Sequence, residues 1–334
     1  MTSANTTAAN SPWPHRLAVL LVCATFPLIW VGGLVTTYDA GMAVADWPTT
    51  FGYNPFLYPW RTWVFGPWDV FIEHGHRLLG AAVGVIALAL AAVTFARDRR
   101  RWMRGLALAV VAAVILQGLL GGARVIRDER LLAQVHGTFG PAFFALCVAA
   151  AVCTSRRWRD AASLRGELPA GAVRLAAATA LVAYLQLALG ARLRHMPLGG
   201  GTAEFQIVVA FHLSTAAVVL GHAAALAVRL RSAAESGART PSRWLLGLVC
   251  LQIGLGGWTW VANYGWPGWF ANVSWAGGYV VSAEGLLQST VTTAHVAVGS
   301  LILALAVTVA LRAGRAGRGR LRLPSLTRRA EAAA

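Results

Sequence analysis

The chain has 334 residues, of which 57% are hydrophobic and only 13% charged, and its mean hydropathy is +0.58. A soluble domain carries roughly 25% charged residues, so the composition points to lipid as the solvent. The net charge of +16 comes from a chain without lysine. Its arginines cluster in short segments between apolar runs, which reads as a topology signal and excludes a groove-binding patch for nucleic acid.

The first fifteen residues, MTSANTTAANSPWPH, are polar and lack the basic start of a signal peptide or the arginines of a transit peptide. They are expected to form a tail, in which His15 is solvated. A bilayer core requires about 20 apolar residues in helix. Eight runs qualify in chain order, at 17–35, 75–96, 104–123, 133–153, 172–191, 206–229, 243–262 and 289–311. Only helices satisfy their own backbone in lipid across separate spans of this length, so the fold class is all-α, a polytopic membrane protein of eight transmembrane helices. Cys23, Cys147, Cys153 and Cys250 lie in or beside these runs and read as small buried hydrophobes, with no disulfide framework.

Counting arginines in alternate connections gives twenty-two on one side and seven on the other. The richer side should face the cytoplasm and carry both termini, and a bacterial inner membrane is the simplest location. Residues from Arg312 onward are expected to be a disordered basic tail lying against anionic lipid. On the opposite side, residues 36–73 form a long connection rich in Trp, Tyr, Pro and Gly, and residues 263–288 repeat that flavour with Tyr264, Trp266, Trp269 and Trp275. Such segments suit a lid in the outer interface, or an ordinary aromatic belt.

An internal repeat divides the chain. LQGLLGG begins at Leu116 in the third run, and LQIGLGG begins at Leu251 in the seventh. Four spans per unit repeat without inversion, which predicts two pseudo-symmetric four-helix bundles. The expected layout is a tail (1–16), an N-terminal half (17–155), a linker (156–171), a C-terminal half (172–311) and a basic tail (312–334).

Four histidines share one geometry. His76, His136, His212 and His295 each lie near the start of an even-numbered run, at matching depth. Ionisable groups inside spans are costly and usually functional. Even-numbered helices of an up-down bundle are diagonal partners, so the imidazoles of each half can meet across the centre. A bare zinc would need more ligands, whereas paired imidazoles suit haem iron. His195 is expected to be solvated, His222 structural, and His74 is undecided. Arg77 and Arg124 could donate to haem propionates or simply snorkel to the interface. Gly32, Gly33, Gly118, Gly121, Gly122, Gly190, Gly254, Gly256 and Gly257 in odd-numbered runs allow close approach of helices or of a flat ligand.

EHGHR (Glu73 to Arg77), the QGxxGG segment, the four-histidine spacing and GGLVTTYDAGMAVADWPTTFG (Gly32 to Gly52) together resemble the haem A synthase family, in its form without external cysteine pairs. The resemblance implies oxidation of the C8 methyl of haem O to the formyl group of haem A, for terminal oxidases. It implies substrate haem O, and product haem A, between His76 and His136, with resident haem b between His212 and His295. Glu73, three residues before His76 and so on one face with it, would be the acidic catalytic residue beside the reacting methyl. The equivalent position before His212 is Val209, an asymmetry that separates a reacting haem from a resident one. Haem O synthase, oxidase assembly factors and membrane lipid are the implied partners. The alternative is a non-enzymatic di-haem b-type electron carrier using the same histidines.

Overall fold

A computed structural model describes residues 11–160, 168–196, 202–233, 236–265 and 285–320. Ten helices are present among these residues: α1 (Trp13–Thr37), α2 (Trp60–Val64), α3 (Trp68–Arg97), α4 (Arg101–Arg127), α5 (Arg130–Thr154), α6 (Arg156–Arg159), α7 (Ala172–Arg194), α8 (Thr202–Arg229), α9 (Arg239–Tyr264) and α10 (Leu286–Arg320). All but α2 and α6 are long and apolar enough to cross a membrane. The protein is an all-α, multi-pass membrane protein, with a single isolated bridge, Thr50 to Tyr53, as its β-structure among the described residues.

Six of the eight long helices overrun their apolar runs at both ends, and α7 and α8 do so at one, because polar and aromatic flanks continue the helical hydrogen bonding past the hydrocarbon limit. Helix α1 starts at Trp13 with Pro14 in its first turn, where a missing N–H costs nothing. His15 is therefore helical, not part of a solvated tail, and its Nδ1 lies 3.1 Å from the Ala151 carbonyl and 3.2 Å from Thr154 Oγ1. Likewise α3 starts at Trp68, so EHGHR lies inside the helix instead of opening it. At the far end, residues 312–320 are helical and docked, not a disordered tail. Arg312 donates to the Gly237 carbonyl at 2.8 Å, and the Arg315 guanidinium stands 5.4 Å from the Trp158 ring centre. Residues 321–334, like most of the aromatic segment 263–288, lie outside the described residues. All four cysteines are free, but Cys23 and Cys250 face outward and only Cys147 and Cys153 are buried.

Neighbour relations close two rings. In the first, α1, α3, α4 and α5 pack in cyclic order; in the second, α7, α8, α9 and α10 do the same. Each ring has its own apolar core, one built on residues such as Leu21, Val83, Leu90 and Val110, the other on Leu226, Leu245, Leu303 and Val309. The rings meet along α5 and α10, flanked by α1 and α7. Large apolar side chains on the perimeter, such as Leu88, Ile115, Leu181 and Phe211, are exposed, as expected where lipid replaces water.

Candidate functional site

Ring order places α3 diagonal to α5 and α8 diagonal to α10, and the four histidines occupy these diagonals. His76 (α3) and His136 (α5) face each other with ring centres 6.4 Å apart; His212 (α8) and His295 (α10) also stand 6.4 Å apart. Two metal–nitrogen bonds of about 2 Å each, plus the half-widths of the two rings, account for that spacing. Among the described residues no group of three His, Cys, Asp or Glu side chains could hold a bare metal. The donor set in each half is thus two imidazoles, which suits an iron whose remaining positions are filled by a macrocycle.

Three glutamines attend the pairs. Gln117 donates to the His136 carbonyl at 3.2 Å, and Gln252 to the His295 carbonyl at 2.9 Å. Gln186 Nε2 lies 3.2 Å from His212 Nε2, its amide oxygen being taken by the Thr215 hydroxyl. An imidazole nitrogen carrying the lone pair is the form a metal binds; the amide beside His212 Nε2 would give way to the metal. Sequence reasoning missed these glutamines, although Gln117, Gln186 and Gln252 each precede a glycine by four residues, a spacing visible in the chain. The corresponding residue in α1, four before Gly32, is Leu28.

The segment between α1 and α3 is held against the N-terminal pair by a buried polar network. Glu73, 2% exposed, accepts from Val44 N–H at 2.8 Å through one carboxylate oxygen and pairs with Arg77 at 2.8 Å through the other. Arg77 also donates to the carbonyls of Val44 and Asp46, both at 2.6 Å, and of Thr49 at 2.8 Å. Arg124 donates to the Gly41 carbonyl at 3.0 Å. Both arginines are engaged with this segment. His74 is buried, with Nδ1 3.1 Å from Thr50 Oγ1 and its ring between Tyr58 and Trp63; it anchors the segment. Trp47 lies directly on α4, where a Cβ on Gly122 would be 2.3 Å from the indole. Asp46 folds the turn by accepting from Thr49, Phe51 N–H and Gly52 N–H. Burial works to raise its carboxyl, but these hydrogen bonds outweigh it and hold it below the usual aspartate value.

His195, expected to be solvated, is partly buried beside the first pair: its ring lies 3.5 Å from a Cβ built on Gly137, and Nδ1 is 2.8 Å from the Ala191 carbonyl. Burial depresses its affinity for a proton. His222, on α8, has a buried Nδ1 with no hydrogen-bond partner among the described residues. Arg194, unremarked in the sequence, crosses between the rings from α7, donating to the Gly33 carbonyl at 2.7 Å and to Thr37 on α1.

Residues 66–199 match the model of the COX15-CtaA family, described as cytochrome oxidase assembly protein. The match takes in Glu73, His76, Arg77, Arg124 and His136, and stops short of His212 and His295. It supports the likeness to haem A synthases and a role in cytochrome oxidase assembly. No curated protein matches the chain.

Proposed function

We propose that the chain serves cytochrome oxidase assembly as a haem A synthase, an oxidoreductase that carries the C8 methyl of haem O to the formyl group of haem A. The observation that carries this reading is the pair of half-buried, diagonal bis-imidazole sites with equal 6.4 Å spacing, of which only the N-terminal one has a carboxylate one turn from a ligand. His76 and His136 would hold the substrate, and His212 and His295 a resident haem b, which supplies one-electron redox chemistry when bound.

The protein's own contribution is positioning and proton handling. Glu73 lies one turn from His76, and its carboxylate cannot swing away because Val44 N–H and Arg77 each fix one oxygen. Each oxygen keeps lone-pair capacity beyond the single bond described, so Glu73 can take a proton from the reacting methyl position or stabilise positive charge developing there. Arg77, Arg124 and His74 latch the connecting segment at that end. Arg77 and Arg124 remain candidates for the propionates, exchanging carbonyl partners for carboxylates. Under this reading the membrane is a bacterial inner membrane, with the arginine-rich end in the cytoplasm.

Engagement of Glu73 by the latch favours one other reading, a di-haem b-type electron carrier in which this carboxylate is only structural. Glu73→Gln keeps the side-chain shape and can still accept from Val44 N–H. The variant is expected to retain haem b and lose haem A formation, measured by pigment extraction and chromatography from cells supplied with haem O. Unchanged haem A yield would remove the enzymatic role of Glu73.

A further inference from the structure

Metal-bound imidazoles are usually oriented by a hydrogen bond from the nitrogen that faces away from the metal. Here the Nδ1 atoms of His76, His136, His212 and His295 are all buried without a hydrogen-bond partner among the described residues. Main-chain carbonyls of Leu28, Gln117, Gln186 and Gln252 act as hydrogen-bond acceptors toward the respective rings, though outside full hydrogen-bond geometry to Nδ1. A second restraint on ring tilt lies beside each of them.

One turn beyond each of those carbonyls is a glycine on the spanning helix that precedes the histidine. A Cβ built on Gly32 would stand 2.8 Å from His76 Cε1; on Gly121, 3.1 Å from His136 Cε1; on Gly190, 3.2 Å from His212 Cε1; on Gly256, 3.0 Å from His295 Cε1. The same ring atom meets the same kind of residue four times. General helix packing does not explain the pattern, since Gly118 and Gly254 on the same helices meet nothing within 4 Å. We infer that Gly32, Gly121, Gly190 and Gly256 are positioning residues that set the tilt of the four imidazoles by keeping the space beside each Cε1 free of a Cβ. The inference rests on the haem reading above. The ring planes lie 81° apart in the first pair and 60° in the second, and this mutual angle governs the d-orbital splitting of a low-spin bis-imidazole iron.

A methyl group at any of the four positions therefore acts on the iron through the ring. The test uses the full-length, haem-loaded protein in detergent, with G32A, G121A, G190A and G256A made singly and G118A and G254A as controls. Low-spin EPR signals, midpoint potentials and haem per polypeptide are read together. Each of the four is expected to shift the signal and potential of its own half, or to lose that half's haem, while the other half stays at the wild-type position. Both controls should match wild type. Wild-type signals and potentials in G32A and G256A, the two tightest contacts, overturn the inference, as do equal shifts in the controls or loss of both haems together. A wild-type protein with no Soret absorption overturns the haem reading itself, an outcome distinct from any of these.

Discussion

His74 and His76 are two residues apart, about 200° around a helix, and they face different surroundings. His74 turns toward Thr50, Tyr58 and Trp63 in the connecting segment, whereas His76 turns toward His136 across the ring of helices. His74→Ala is expected to loosen residues 38–59 while leaving the Soret band in place; His76→Ala is expected to remove the haem of the N-terminal half. Hydrogen exchange across the segment and haem content per polypeptide distinguish the two, and equal haem loss in both variants would contradict the division. The sequence marked His76 through its spacing from the other three histidines, but His74 carried no such mark. Its partner Thr50 is 24 residues away in a connection without periodicity.

The segment between α1 and α3 is an element held by side chains more than by regular structure. Glu73, His74 and Arg77 reach it from α3, and Arg124 and the Gly122 surface from α4. Its own turn depends on Asp46. Because the folded Asp46 carboxyl lies below the ordinary aspartate value of 3.8, its contribution to the folded turn is complete above that value. The contribution falls as pH drops through the lower folded value. Exchange protection at Phe51 and Gly52 should therefore hold above about pH 4 and decline below it. Asp46→Asn should show the lower protection at neutral pH already, and a wild-type profile in that variant would remove Asp46 from the account. The aromatic composition suggested either a lid or an ordinary aromatic belt here. What holds the segment was not legible, because every latch is a contact between residues distant in the chain.

At the scale of the whole molecule, α5 and α10 form the seam, and each provides one histidine of a pair, while the outlying α3 and α8 provide the others. Arg194 ties the rings at this seam, bonding from α7 to the Gly33 carbonyl and Thr37 on α1, close to Thr293 on α10. A hydrogen bond from a charged donor contributes about 1.5–3 kcal/mol. Arg194→Met is expected to lower the thermal midpoint in detergent while preserving the helical circular dichroism at low temperature; an unchanged midpoint would show that the rings hold together without it. The count of spans and the repeated spacing of the histidines were readable because each depends on composition or on spacing along one chain.

Apolar length by itself determined that eight helices cross a bilayer, since a backbone in lipid has no alternative to satisfying its own hydrogen bonds. Duplicated spacing determined that four histidines recur near the starts of the even-numbered spans. Tertiary structure alone decided that α5 and α10 are central, that the space beside each imidazole has no room for a Cβ on the neighbouring glycine and that Glu73, Arg77 and Arg124 hold the connecting segment. Those outcomes depend on helix rotation and on packing between distant residues. A run of uniformly apolar residues encodes neither, because lipid tolerates any face of such a helix and only its neighbours select one.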